Sequence, residues 1–278
     1  MNIYLVPHGG LANRMRTVAS SIRYCEQNNH KLNIIWNQDH QLHSSFDSLF
    51  LPLPDKTNLI EYYKLPQLYR VYFNNNLKQL LRYFPGNVIS YFLQRKKFKW
   101  VVPYFTKEHL KKLGQYKGNV LIQSAADFFP YDDINAYFRP IPELKAKIEK
   151  NTCIFDRHTI GIHIRRTDHN VSITESPLEV FFKAMVKEIE VNPNVNFYLA
   201  TDSNYVKKEI LQKFGKRILT RNNTLSRRST NGIREALIDL YSLSCTSKIL
   251  GSYWSSFTLM AGEIGKIDVT ELRRNQYE

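Results

Sequence analysis

Two arginines stand side by side, Arg165 and Arg166, at the end of the run 160-IGIHIR-165, and the chain continues through Thr167, Asp168 and His169 to a second carboxylate at Glu175. Side chains alternate along a strand, so His163 and Arg165 share one face while Arg166 shares the other with Ile162 and Ile164. A guanidinium taken out of water costs several kcal/mol unless it is paired. Asp168 is close enough to neutralise one arginine, which leaves the other for an external anion. A pyrophosphate suits that role, because the guanidinium fork sends two parallel hydrogen bonds to phosphate oxygens. A plain Arg–Asp bridge closing a strand end is the competing reading, and the pair alone does not choose between them. Glu175, at the far end of the loop, has no arginine it must answer. It is placed to take a proton from a hydroxyl, or else to do no more than favour the start of the next helix.

Three further loops carry unusual residues. In 7-PHGGLANR-14, Gly9 and Gly10 let the backbone approach a ligand, and the helix that follows, with Asn13 and Arg14 in its first turn, offers unpaired N–H groups. An ordinary glycine turn is the competing reading. In 254-WSSF-257, Ser255 and Ser256 stand at a helix N-terminus, where serine serves as a cap and where the same hydroxyls and amides suit a phosphate. The stretch 201-TDSN-204 adds Asp202. None of these is a G-x-G-x-x-G fingerprint or a Walker loop. Asp132-Asp133 lacks the spacing of a metal-binding carboxylate pair, so neither a metal nor a cofactor is expected.

These loops need strands to hold them. Residues 2-NIYLV-6 read as a buried strand, Asn13 to about Asn28 as a helix with Met15, Val18, Ile22 and Cys25 on one face, and 32-LNIIWN-37 as a second strand. That is a βαβ unit. The middle of the chain is aromatic, basic and Asn-rich; 67–84 reads as one broken amphipathic helix or two, 117–123 as a strand, and Pro142 as the opening of a helix. From residue 160 onward strands and helices alternate: strands at 160–165, 195–202, 217–220 and 248–253, helices at 177–190, 204–214, 234–247 and 256–264. Alternation of this kind predicts parallel sheets. The expected fold class is α/β, with two Rossmann-like domains facing each other, 1–145 and 146–278. Ligands of such sheets bind beyond the carboxyl ends of the strands, where the four loops lie.

The composition, 43% apolar and 13% aromatic over 278 residues, belongs to a folded globular chain and excludes a disordered one. No stretch approaches the roughly 20 apolar residues of a spanning helix, and the first residues are too briefly apolar for a signal peptide. Cys25, Cys153 and Cys245 are odd in number and scattered, which predicts reduced thiols and a cytoplasmic location. The net charge of +14 favours anionic partners, and between Lys64 and Lys117 twelve Lys/Arg face one acid, Glu108. Within it, Arg95-Lys96-Lys97-Phe98-Lys99-Trp100 suits anionic glycan or lipid headgroups, and so peripheral contact with the inner face of a membrane. A solvated basic face is the plainer alternative.

The run His163-Ile164-Arg165-Arg166-Thr167-Asp168 resembles the HxRRTD motif of the α1,6-fucosyltransferases and bacterial nodulation fucosyltransferases, relatives of the α1,2- and protein O-fucosyltransferases. The resemblance continues in order through 198-YLATDS-203, 237-LIDLYSLS-244 and 253-YWSSFTLMAGEIG-265. It implies the two-domain glycosyltransferase-B fold and inverting, metal-independent transfer of fucose from GDP-fucose to an oligosaccharide or polysaccharide. It likens Arg165 to the arginine on the donor β-phosphate and Arg166 to its essential neighbour. Asp239 matches the acid on the guanine base, with Asp202 in the loop lining that pocket. Ser256 matches the serine near the pyrophosphate, and Thr174-Glu175 the Thr-Glu proposed to supply the base. The C-terminal domain then binds the GDP-sugar and the N-terminal domain, with its basic aromatic insertion, the acceptor. The chain departs from the family in a longer loop before Glu175 and in 9-GGLANR-14, and 38–150 matches no family pattern.

Three alternatives remain at this point. One is transfer from another GDP-hexose, one is a GDP-sugar binder without activity, and one is a nucleic-acid-binding protein using the basic aromatic middle. The last lacks any RNP, KH or helix-turn-helix pattern, so a nucleic-acid partner is not expected.

Overall fold

A computed structural model describes residues 1–54, 57–63, 100–102, 104–167, 170–222, 226 and 228–276. The expected helices within 67–84 and the basic run 95–99 lie outside these residues, as do Asp168 and His169. The described chain forms two α/β units, one of Met1–Ile141 with Arg227–Ile233, the other of Pro142–Ser226 with Arg234–Glu278. The first unit thus ends four residues before the 145/146 boundary read from the sequence, and it takes back a short later segment.

The first unit is built on a parallel sheet of β1 (Asn2–Pro7), β2 (Lys31–Gln38), β3 (Thr57–Tyr63), β4 (Trp100–Val102) and β5 (Asn119–Ser124), in the order β3-β2-β1-β5-β4. Helix α1 (Leu11–Gln27) joins β1 to β2 and buries Met15, Val18, Ala19 and Ile22. Trp36 of β2 packs with Phe46, and Phe46, Phe50 and Phe138 with one another, edge-on or tilted at centroid distances of 5.0–6.2 Å. Such pairs stabilise beyond the area they bury.

The second unit has helix α2 (Pro142–Thr152), then β6 (Thr159–Ile164), α3 (Asn170–Glu175), α4 (Leu178–Val191), β7 (Asn196–Thr201), α5 (Asn204–Phe214), β8 (Ile218–Leu219), α6 (Thr230–Leu243, whose first turn groups with the other unit), β9 (Ile249–Ser252), α7 (Ser256–Gly265) and β10 (Val269–Leu272). Its five strands are parallel in the order β10-β9-β6-β7-β8. The chain runs outward from β6 to β8, then crosses back to β9 on the other side of β6. That reversal puts a topological switch point between the carboxyl ends of β6 and β9. Every residue of β6 is buried, as a central parallel strand requires. Ile160, Ile162 and Ile164 pack with Val180, Phe181, Ala184 and Met185 of α4 and Val206 and Ile210 of α5.

The strands read from the sequence recur within a residue or two, and three more appear. Strand β3 lies in a polar stretch, β4 has three residues, and β10 is a four-residue edge strand, too short or too polar to show an apolar period. The expected loop 166–175 holds a helix, α3. The helix expected over 234–247 starts earlier and ends at Leu243. Among the described residues no helix is long and apolar enough to cross a membrane, and Cys25, Cys153 and Cys245 are free thiols.

Helix α7 lies so close to β9 that a Cβ on Gly251 would fall 2.2 Å from Cγ2 of Thr258. We therefore expect Gly251→Ala to destabilise the protein by about 1–3 kcal/mol, the cost of overpacking. Gly114→Ala, at φ −61° and with an added Cβ 3.8 Å from Lys111 O, should leave stability unchanged or raise it by about 0.4–1 kcal/mol. Denaturant unfolding of the two variants checks the contrast, and equal midpoints would show that α7 can move off β9.

Candidate functional site

The switch-point loops of the second unit are joined by hydrogen bonds at almost every residue. Past the end of β6, the backbone N–H of Arg165 donates to Ser252 Oγ on β9 (3.1 Å). The N–H groups of Arg166 and Thr167 donate to the two oxygens of Asp202 (2.7 and 3.1 Å), and Thr167 Oγ1 reaches the same carboxylate at 2.7 Å. Asp202 follows β7, so a carboxylate from the neighbouring strand end holds the arginine loop in place.

The strand alternation persists past β6. Arg166 turns to the face of Ile162 and Ile164 and lies 5.9 Å from the Phe181 ring centre. Its guanidinium donates to Arg165 O and Ser176 O, both at 2.8 Å, and burial holds its pKa below the usual arginine value. Sequence reading expected Arg166 to be catalytic and paired with Asp168, which lies outside the described residues; among the described residues its fork donates to two carbonyls. His163 faces the other way, 8% exposed, with Nδ1 2.7 Å from Thr258 Oγ1 and its ring stacked on Phe257 at 4.8 Å. It packs α7 against β6. Arg165 emerges beyond it, half-buried.

Ser255 is fully buried and caps α7, accepting from the N–H of Thr258, and Ser256 opens the helix. The free N–H groups of that first turn carry the positive end of the helix dipole. Glu175 ends α3, exposed, without a hydrogen-bond or ion-pair partner among the described residues. It stands between two anchored serines. Ser172 Oγ donates to Tyr253 O (2.7 Å), while Ser176 Oγ accepts from Tyr253 N (2.8 Å) and donates to Leu272 O (2.6 Å). Neither serine was legible as an anchor, because its partners lie more than seventy residues away.

Asp239, expected on the guanine base, lies in a buried polar cluster on α6. Its Oδ1 accepts from Tyr198 Oη (2.7 Å) and Arg221 Nη1 (3.1 Å), and Arg221 also pairs with Glu235. Burial and the Asp239 charge push the Tyr198 phenol well above its usual pKa. A base contact at Asp239 would have to compete with these donors. Sequence reading missed Arg221 and Glu235, whose only signal was an acid within hydrogen-bond reach of an arginine after folding.

In the first unit, Gly9 has φ +90°, and its N–H donates to Gln41 Oε1 (3.1 Å). Gly10 stands at the N-cap of α1, and Asn13 Oδ1 accepts from Arg16 (2.8 Å). Arg14, expected to bind substrate, is wholly buried. It donates to Gly9 O (2.9 Å), to Asn37 O and to Asp39 Oδ1 (2.8 Å), with its guanidinium 5.5 Å from the Trp36 ring centre. Each of its three side-chain nitrogens donates inside the protein, which closes the loops after β1 and β2. His8 beside it has its pKa lowered by burial and by the Arg14 charge. Among the described residues, no cluster of three or more His, Cys, Asp or Glu is placed to hold a metal ion.

No family model matches this chain, and no curated protein matches it in sequence. Solved structures do match it. The fold is similar to that of fucosyltransferases. NodZ α-1,6-fucosyltransferase soaked with GDP-fucose aligns over 95% of this chain and 92% of its own, at 16% identity and a TM-score of 0.64. A variant of Arabidopsis thaliana FUT1 in complex with GDP covers 96% of this chain and 69% of its own, at 14% and 0.58. POFUT1 in complex with GDP aligns over 98% of both chains, at 8% and 0.53. At these identities the fold is what is shared.

The burial of Arg14 makes a direct prediction. Arg14→Met takes a donor from the carbonyls of Gly9 and Asn37 and leaves Asp39 without its cation, so a loss of about 3–5 kcal/mol is expected. Arg14→Lys, with a single point of charge, should recover only part. Chemical denaturation measures both, and a wild-type midpoint for Arg14→Met would remove the loop-closing role.

Proposed function

We propose that this protein is an inverting, metal-independent glycosyltransferase of the glycosyltransferase-B type, moving fucose from GDP-fucose to a glycan acceptor. The observation that carries the reading is the tie between Arg165 and the end of β9 at the switch point, where Arg165 N donates to Ser252 Oγ and the chain runs on within four residues to the N-terminus of α7. Support also comes from the similar folds solved with GDP or GDP-fucose. The second unit takes the donor and the first the acceptor.

On this reading Arg165 and the first amides of α7 receive the β-phosphate. When the bond from the anomeric carbon to the β-phosphate oxygen breaks, its electron pair stays with GDP, and negative charge grows where these donors point. A well-aimed donor of this kind contributes on the order of 3 kcal/mol to the transition state. The acceptor oxygen attacks the opposite face of the sugar, inverting the anomeric centre, and its proton passes to Glu175. The carboxylate also favours the positive charge building on the ring. Asp202 and Arg166 act through Arg165 by fixing the turn that carries it.

Arg165→Ala should weaken GDP binding by about 2–3 kcal/mol, the scale of a lost charge-assisted contact. Calorimetry with GDP reads it, and unchanged affinity would sink the site assignment. Glu175→Gln should keep GDP-fucose affinity and stability while lowering turnover at least about a hundredfold. That comparison is best made in EDTA, where wild-type turnover should persist. Transfer at wild-type rates by Glu175→Gln would take the base away from this residue, and wild-type activity that needs added magnesium or manganese would overturn the arginine-for-metal account.

A further inference from the structure

Between the end of β9 and the cap of α7 stands Trp254, 63% exposed and at φ +56°. A bulky residue in the left-handed region is an outlier, and it persists only where its surroundings over-determine the backbone. Here they do. The N–H of Trp254 donates to Glu271 Oε1 at 2.7 Å. The peptide groups of Tyr253 before it are held by Ser176 Oγ on the N–H and Ser172 Oγ on the carbonyl. Arg273 lies 3.6 Å over the Tyr253 ring, with its Nη2 3.8 Å from Glu271 Oε2. Ser172, Ser176 and Glu271 thus fix the main chain of Tyr253 and Trp254, while the Trp254 ring, 6.2 Å from that of Tyr253, remains largely exposed. A single exposed aromatic is ordinary; one held against its backbone preference at a switch point is not.

Resting on the GDP-sugar reading above, we infer that the Trp254 indole is the platform for the donor's sugar ring and favours the 6-deoxy sugar. The residue directly precedes Ser255 and Ser256, whose amides face the β-phosphate in that reading. The sugar is bonded to that same phosphate, whereas the guanosine lies one phosphate further away. An indole presents a flat apolar face with a polar edge, which suits the C–H face of a pyranose. Fucose carries a methyl group where other hexoses carry a hydroxymethyl, so stacking gains apolar area for fucose and must desolvate a hydroxyl for mannose.

Calorimetry with GDP, GDP-fucose and GDP-mannose on wild type, Trp254→Ala, Trp254→Gly and Trp254→Phe tests this. GDP affinity should stay at the wild-type value in all four. GDP-fucose should bind about three- to tenfold more weakly to the Ala and Gly variants, the scale of one aromatic contact, with Phe restoring most of the loss. The preference for GDP-fucose over GDP-mannose should shrink in step. Equal losses for GDP and GDP-fucose would put the ring on the nucleoside and overturn the inference, as would no loss for either. Trp254→Gly, which adopts positive φ without strain, should melt no lower than wild type; a marked drop would make the ring structural. Wild-type protein that binds neither GDP nor GDP-fucose would overturn the GDP-sugar reading itself, a result distinct from any change at Trp254.

Discussion

The guanidinium of Arg166 sits at the rim of an apolar core, above Phe181, and its donors must be met there. A charge in that position is tolerated only with complete hydrogen bonding. The acceptors are the carbonyls of Arg165 and Ser176, so the bend after β6 and the junction of α3 with α4 are fixed together. Ser176 then carries the constraint outward, since its hydroxyl also bridges Leu272 on β10 and Tyr253 after β9. Glu175 precedes that serine and Trp254 follows that tyrosine. The groups proposed to act on the sugar are therefore positioned by the satisfaction of one half-buried charge.

The first unit solves the same problem with different residues. Arg14 donates to the carbonyls of Gly9 and Asn37, joining the loops after its first and second strands. Asp39 follows β2 and accepts from Arg14 and from the N–H groups of Gln41 and Leu42; Asp202 follows β7 and accepts from the N–H groups of Arg166 and Thr167. In each unit an arginine near the first strand grips main-chain carbonyls, and an aspartate after the second strand grips main-chain N–H groups. Two loops at the carboxyl end of a parallel sheet need this, because the sheet itself satisfies none of their peptide groups.

What was legible in the sequence follows the range of the interactions involved. The run 160-IGIHIR-165 announced a buried strand, since its neighbours in sequence are also its neighbours in the pattern; likewise Ser255 announced a cap because its acceptor role spans three residues. The side-chain parity of His163, Arg165 and Arg166 was legible for the same reason. Their partners were not. Neither the closing of Asn37 and Asp39 onto Arg14 nor that of Asp202 onto the Arg166 turn has a signal in the sequence, because each partner comes from a different strand end. Strand β10 gave no periodic signal, being four residues at an edge, although its Glu271 and Leu272 hold the loop that bears Trp254.

The adjacent arginines divide their work by parity, and neither can take the other's part. Alternation sends Arg166 toward the core face, where two carbonyls lie at 2.8 Å on different segments. Meeting both at once takes a planar fork with donors on separate nitrogens. A lysine there would offer one point of charge, more strongly hydrated and dearer to bury, and could not bridge the two carbonyls with fixed geometry. Arg165 faces the side of His163 and α7, where the helix N-terminus already favours anions. On the proposed reading Arg165 and that helix N-terminus donate to the same pyrophosphate, whose negative charge grows on the departing phosphate, and Arg166 keeps rigid the turn that carries Arg165.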